Sequence, residues 1–340
     1  MQTMLAARYL GPGRLAPIEV PVPTVGPGEA IVQVEACGFC GSDLAIVAGV
    51  HPRALPPLTI GHEFCGRVAH IWGANGGIRE GDRVACYPLI SCLECYVCKH
   101  GQPHVCRTLR LYGFDVDGGM AEFAKVPVAS LVPLPAAMRP HIGALIEPLA
   151  VAVHGVSRVS LDNVRTSVVI GAGPIGLLAA LVLRSRGIEV IYISDVLESR
   201  RTLAQQLGFT AVDPADLNEL VQQSTGNEGA DLLFECAGAA PAALQMSQVM
   251  RCQGVIVNLG VFQKPTEIDL RSVNFKELMI VGSRVYTRRD FEVAIALAPS
   301  LPLSAFVTQA YSLPEIGVAF ERFRARDGVC KIVIEPNLYA

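Results

Sequence analysis

Between Ser167 and Asp195 the chain reads SVVIGAGPIGLLAALVLRSRGIEVIYISD, and few folds can use such a stretch. Val168, Val169 and Ile170 are β-branched and bounded by glycine, the pattern of a strand buried on both faces of a parallel sheet. Gly171, Gly173 and Gly176 follow in the spacing G-x-G-x-x-G. In a strand–turn–helix unit the first glycine permits a tight turn and the second lets a pyrophosphate approach the backbone. The third lets the helix pack closely on the strand. Pro174 suits a first helical turn, where its missing N–H needs no partner, and Ile175 in the same turn is placed to touch a cofactor. Unpaired amides and the helix dipole at that point favour an anion. Gly187 ends the helical pattern, Val190 to Ser194 reads as a second strand, and Asp195 stands at its tip. That is near the roughly 20-residue offset of an acid that binds ribose hydroxyls. The stretch predicts a dinucleotide-binding βαβ unit.

The surrounding residues, 151 to 287, extend the pattern. Six strand-like runs alternate with helical ones: Val168 to Ile170, Val190 to Ser194, Thr210 to Val212, Leu232 to Glu235, Val255 to Leu259 and Leu278 to Val281. This predicts a doubly wound parallel sheet. The loops after Glu235-Cys236-Ala237-Gly238 and at Leu259-Gly260-Val261-Phe262 fall at carboxyl ends of strands, where such a sheet holds its ligand. Ser283 and Arg284 follow the sixth run, within reach of a nicotinamide or substrate; Arg284 fits a substrate anchor or a structural ion pair equally well. Asp195 would repel a 2′-phosphate and favours NAD over NADP. Arg200 and Arg201 are cations that could serve a phosphate or simply cover a solvated helix face.

Residues 1 to 150 have a different texture, rich in glycine and proline with short alternating segments such as Ala30 to Glu35 and Arg67 to Ile71. They read as an all-β, loop-rich domain. Residues 288 to 340 hold two helix candidates, Phe291 to Leu297 and Glu315 to Arg324, and a final apolar strand, Lys331 to Ile334. This tail is expected to rejoin the first domain. A chain of 340 residues, 51% hydrophobic, can bury two cores, and its mean hydropathy of +0.39 is high. No apolar run reaches the ~18 residues of a membrane span, so the excess is read as buried interdomain and subunit surface. A homo-oligomer, dimer or tetramer, is expected. A net charge of −3 with no long basic run argues against a nucleic-acid partner. The first residues show no targeting or anchoring pattern, and a cytoplasmic protein without membrane contact is expected.

Eleven cysteines are present, an odd number with four in one cluster, which points to metal rather than to cross-links. Cys92, Cys95, Cys98 and Cys106 offer four thiolates, suited to a closed tetrahedral zinc site that folds a lobe of about residues 90 to 108. An iron–sulfur cluster also takes closely spaced cysteines. His100 and His104 are read as surface residues, the four cysteines filling the shell. A second set is mixed. Cys40 in GFCGSD, with His62 and Glu63 in GHE twenty-two residues later, places a thiolate, an imidazole and a carboxylate on glycine-flanked turns. Such ligands suit a catalytic zinc, which keeps one position open. Glu147, in IEPLA, is a carboxylate amid apolar residues that needs a partner, and a metal would be one.

CGSD, GHE, the four-cysteine lobe, EPLAVAVHG and the glycine fingerprint, in this order, resemble the zinc-dependent medium-chain dehydrogenase/reductase superfamily. The resemblance covers nearly the whole chain and is to the sorbitol, butanediol and L-threonine dehydrogenase branch. It implies an α/β fold, a GroES-like β-rich catalytic domain plus a Rossmann doubly wound parallel sheet. It further implies two Zn2+ per chain, a nicotinamide cofactor, and hydride transfer from a small-molecule secondary alcohol. Cys40, His62 and Glu63 would hold the catalytic zinc, and Glu147 would approach it as ligand or through water. Ser42 would accept a hydrogen bond from the substrate hydroxyl and pass its proton on, Asp43 would orient His62, and Arg200 would lie against the adenosine. One departure is clear: where many relatives place a relay histidine this chain has Ala45, leaving water, Glu147 or His51 to carry the proton. Rival readings are a zinc-free reductase of the same superfamily and a protein that binds the dinucleotide without catalysis.

Overall fold

The computed structural model describes residues 2–73, 77–326 and 328–337. Contacts divide the chain into two compact units, one of Met1–Glu147 with Thr287–Ala340 and one of Pro148–Tyr286. The first is thus built from two separate lengths of chain, and the second is inserted between them.

The inserted unit is a six-stranded, all-parallel sheet. From one edge to the other its strands are Thr210–Val212, Val190–Ser194, Thr166–Ile170, Ala230–Glu235, Met250–Asn258 and Met279–Gly282. Chain order therefore reverses between Thr166–Ile170 and Ala230–Glu235, the crevice where a doubly wound sheet binds its ligand. Val168, Val169 and Ile170 are buried, as are Leu177 to Leu183 on the following helix, Pro174–Ser185. Gly176 must be glycine: a Cβ there would lie 1.8 Å from the Gly171 carbonyl oxygen. Several boundaries differ from the sequence reading: the strands read from Val168 and Leu232 begin at Thr166 and Ala230. The strand predicted at Val255 begins at Met250, and Leu259 falls outside it because Leu259 and Gly260 turn their amides onto the Glu235 carbonyl, at 2.8 and 2.9 Å. The last strand is Met279–Gly282, with Leu278 buried just before it.

The other unit is a β-rich body of GroES-like type. A seven-stranded sheet runs Leu131–Pro133, Arg83–Cys86, Glu63–Ile71, Glu29–Gly38, Lys331–Ile334, Val307–Tyr311, with Phe123–Pro127 also paired to Glu29–Gly38. Thr3–Gly11, Arg14–Pro21 and Leu58–Thr59 form a second sheet. The strand Val307–Tyr311 was not anticipated; its exposure alternates, but its partly buried face carries Gln309 and its exposed face Ala310, so hydropathy does not follow the alternation and no period-2 signal announces it. The reading of this region as wholly β and loop is also corrected. Gly41–Val47 is a helix, so Ser42 and Asp43 lie in its first turn rather than on an open turn. Its cap explains this: the Asp43 carboxylate accepts the Cys40 N–H at 2.8 Å, satisfying a donor that would otherwise be orphaned. Among the described residues no helix is long and apolar enough to cross a membrane.

Candidate active site

The two lengths of chain that form the β-rich unit meet at Gly38. This residue pairs with Glu63 on one side and with Val333 on the other, so three strands bring Cys40, His62 and Lys331 together. The glycine is required by close approach, since a Cβ would fall 2.3 Å from the Glu63 Oε2. One ligand atom each from Cys40, His62 and Glu63 lies within 4.8 Å of the others. His62 and Glu63 are buried, at 4% and 1% exposure.

The electrostatics of this pocket are those of a cation site. Burial alone would make His62 harder to protonate, yet the hydrogen bond and charge of the Cys40 sulfur, then Glu147 and Asp43, raise its pKa to about 10. Asp43 is pushed up to about 6 by burial, against the pull of His62. Cys40, Asp43, Glu63 and Glu147 are four potential anions, and Lys331 is the permanent cation that answers them. Its Nζ donates to both Glu63 oxygens, at 2.8 and 2.7 Å, and to the Phe39 carbonyl at 2.7 Å. The surplus negative charge is what a divalent ion would offset. Ser42 Oγ, Asp43 Oδ1 and His62 Nδ1 are buried without a hydrogen-bond partner. The residues present therefore fit a catalytic zinc with N, S and O ligands.

Two further features frame the pocket. Phe114 stands between His62 and His51, its ring centroid 4.9 Å from each in edge-on contact. His51 accepts the Ala54 N–H at Nδ1, at 3.2 Å, so its neutral form carries the proton on Nε2. Burial and the Arg53 charge both lower its pKa. The expected orienting bond from Asp43 to His62 is not formed: one Asp43 oxygen caps the helix and the other has no partner. Asp43 acts on His62 here through its charge.

In the cysteine lobe Sγ–Sγ separations are 3.4 Å for Cys92–Cys106, 3.5 Å for Cys95–Cys98, 3.9 Å for Cys92–Cys98 and 4.0 Å for Cys95–Cys106. A tetrahedron of Zn–S bonds of about 2.3 Å has edges of about 3.8 Å. Amide donors from Glu94 and Cys95 lower the Cys92 thiol to about 6, as a ligand thiolate requires. His104, expected at the surface, is buried at 5% exposure because the Pro103–Val105 turn folds it inward; His100 is exposed.

The candidate nucleotide-binding elements lie on the inserted unit. Asp195, buried at the tip of Val190–Ser194, accepts the Ala172 N–H at 2.8 Å and the Leu197 N–H at 2.9 Å, tying the glycine turn to the second strand. Arg200 Nη1 sits 3.5 Å from the same carboxylate. Arg201 is engaged elsewhere, donating to the carbonyls of Asp195 and Val196 and to Asp213. Leu259, Gly260 and Val261 form the loop beyond the fifth strand, with Val261 78% exposed, and Ser283 hangs its amide on the Asn258 carbonyl at 3.0 Å. Arg284 is exposed, and Gly171, Gly173, Pro174 and Ile175 shape the turn at the helix start.

Lys331 is the residue that sequence reasoning missed. It opens a run that reads as an apolar strand, and only its isolation as the single charge in KIVI could have flagged it.

Comparison with known proteins agrees with this architecture. The profile of the alcohol dehydrogenase GroES-like domain matches residues 26–136, and that of the zinc-binding dehydrogenases matches residues 174–300. The chain is 38% identical to a 2-dehydro-3-deoxy-L-galactonate 5-dehydrogenase of Pseudoalteromonas atlantica, over 98% of this chain and 99% of that one. It is 33% identical to a sorbitol dehydrogenase of Halalkalibacterium halodurans, over 96% and 97%. A crystal structure from Sinorhizobium meliloti, described as a zinc-binding dehydrogenase bound to NADP, superposes with a TM-score of 0.92 at 32% identity, covering 99% of this chain and 100% of that one. The chain belongs to the zinc-type medium-chain alcohol dehydrogenase family, in the branch of the polyol, sugar-acid and threonine dehydrogenases.

Proposed function

We propose that this protein oxidises a secondary alcohol of a polyol or sugar acid to the ketone, with NAD as hydride acceptor. The observation that carries the reading is the convergence of Cys40, His62 and Glu63 beside the unpartnered Ser42 Oγ. Cys40 and His62 would hold the catalytic zinc with Glu147 or Glu63 as the carboxylate ligand, and the four clustered cysteines would hold the structural one. A zinc so held supplies Lewis acidity that lowers the pKa of an alcohol toward neutrality. The chain's own residues do the rest. Ser42 accepts the hydroxyl proton, at an oxygen that no protein group occupies. Lys331 holds Glu63, and Asp43 keeps the pocket negative. The proton then leaves Ser42 through water, since His51 has committed its Nδ1 to the backbone and Ala45 offers no base. The polyol and sugar-acid class rests on the two curated relatives named above.

NAD is favoured by Asp195, whose carboxylate would meet the adenosine ribose at the tip of the second strand, and by the engagement of Arg201 within the protein. An edge strand, Met279–Gly282, with Met279 59% and Ile280 38% exposed, supports a homo-oligomer. The test is NADH or NADPH formation by zinc-loaded protein on a panel of polyols, sugar acids, diols and L-threonine. Turnover of a polyol or sugar acid with NAD is expected; activity confined to threonine, or to NADP, overturns the corresponding part.

A further inference from the structure

Glu235 is fully buried at the carboxyl end of Ala230–Glu235, the strand directly across the reversal point from the glycine turn. Nothing in the chemistry above uses it. Its Oε1 accepts two consecutive amides, Ala237 N–H and Gly238 N–H, each at 2.9 Å. Its backbone carbonyl accepts two more from the neighbouring loop, Leu259 N–H at 2.8 Å and Gly260 N–H at 2.9 Å. One residue thus gathers four amides from the two loops that crown adjacent strands.

At Gly238 and Gly260 the loops are pressed together with no room for a side chain. A Cβ on Gly260 would lie 2.1 Å from Glu235 Oε2 and 2.5 Å from Gly238 N, and a Cβ on Gly238 would lie 2.8 Å from the Val261 oxygen. Oε2 itself is buried without a hydrogen-bond partner. A buried carboxyl oxygen left unpaired costs stability. Burial duly pushes the Glu235 carboxyl above the usual glutamate range, against the two amides that favour its anion. An apolar side chain would avoid that cost but could not hold the amides. On the outer side of this arrangement Val261 is 78% exposed, an apolar side chain at the carboxyl end of the sheet, where ligands bind.

We infer that Glu235 is a positioning residue for the nicotinamide half of the dinucleotide, fixing the 236–238 and 259–261 loops as one rigid platform. The inference rests on the dinucleotide reading of the glycine turn, and the two halves of the ligand separate it from a general effect on the fold. The adenosine half belongs to Asp195 and Arg200, on the other side of the reversal point, and makes no use of the platform.

The test compares ADP-ribose and NADH binding, by calorimetry and by NADH fluorescence, in the full-length enzyme. Glu235→Ala is expected to weaken NADH at least tenfold while ADP-ribose stays within twofold of wild type. Glu235→Gln, which keeps the acceptor and the shape, should restore NADH to within threefold. Gly260→Ala, which drives a methyl group onto the carboxyl, should reproduce the selective NADH loss without touching Glu235. Unchanged NADH affinity in Glu235→Ala, or an equal loss for both ligands, overturns the inference. If Glu235→Ala does not fold, the Gly260→Ala comparison decides on the same criterion, and if neither folds the platform is a folding element and the inference fails. A wild-type enzyme that binds neither NADH nor ADP-ribose would instead refute the dinucleotide reading itself.

Discussion

Lys331 and Glu63 form a buried ion pair, 2.7 Å apart at side-chain exposures of 3% and 1%, across 268 residues of sequence. The lysine also holds the carbonyl that precedes Cys40, and so braces both ends of the candidate metal-ligand set. Such a pair contributes little net stability once its desolvation is counted, but breaking it from one side is costly. Lys331→Met is therefore expected to lower unfolding stability by about 3–5 kcal/mol, measured by urea denaturation. Glu63→Gln combined with Lys331→Met should recover part of that loss. A single-variant loss below about 1 kcal/mol would show that Glu63 finds another partner.

Ser42 and His51 are the two candidates for the proton route, and their hydrogen bonding ranks them. Ser42 Oγ is unpartnered, whereas His51 Nδ1 is bound to the backbone. Ser42→Ala is expected to reduce kcat about 100-fold or more, the scale of a positioned proton acceptor. His51→Ala should cost less than about tenfold and act mainly on KM. Equal losses in kcat would place His51 on the proton route.

Metal content separates the two cysteine-bearing sites. Elemental analysis of the wild type should give two zinc ions per chain. Cys98→Ser should remove one and lower Tm, because the lobe has little apolar core apart from its ligands. Cys40→Ser should remove the other and abolish turnover while Tm changes little. Iron in place of zinc in the lobe would overturn the assignment.

Asp231 provides a pH test away from any metal. Burial would raise its pKa, but Arg251 at 2.6 Å and the amides of Thr166 and Arg165, each at 2.9 Å, hold it below the usual range. A depressed carboxylate contributes stability above its unfolded value of about 3.9, and loses it as pH falls through the folded value. Asp231→Asn should thus cost about 1–2 kcal/mol at pH 7, kept modest because Arg251 is 35% exposed. The two proteins should converge only as pH falls below about 3.9 and on through the lower folded value. A gap that persists there would assign the loss to packing rather than charge.

The inserted unit was legible almost strand by strand, because β-branched runs between glycines have few other uses. Val190–Ser194 and Thr210–Val212 coincide with the sequence reading residue for residue. Helix Gly41–Val47 was not legible, since glycine and serine at its start read as a turn until the Asp43 cap is seen to close it. At the site, thiol and imidazole announce themselves by spacing, whereas Lys331 does not: its partner is remote in sequence and its neighbours are aliphatic. Glu235 was visible only as the end of a strand. Its importance comes from four amides that no linear pattern collects.

The strand Lys331–Ile334 lies inside its sheet, between Glu29–Gly38 and Val307–Tyr311. During synthesis the inserted nucleotide unit can therefore close on itself well before the β-rich unit has its central partner. Until residue 331 leaves the ribosome, Glu63 and the Phe39 carbonyl lack the cation that meets them, Val307–Tyr311 lacks its partner strand, and Gly38 lacks its pairing with Val333. The cation that completes the pocket is thus delivered after Cys40, His62, Glu63 and the entire inserted unit, which delays a finished candidate site until the chain has passed residue 331.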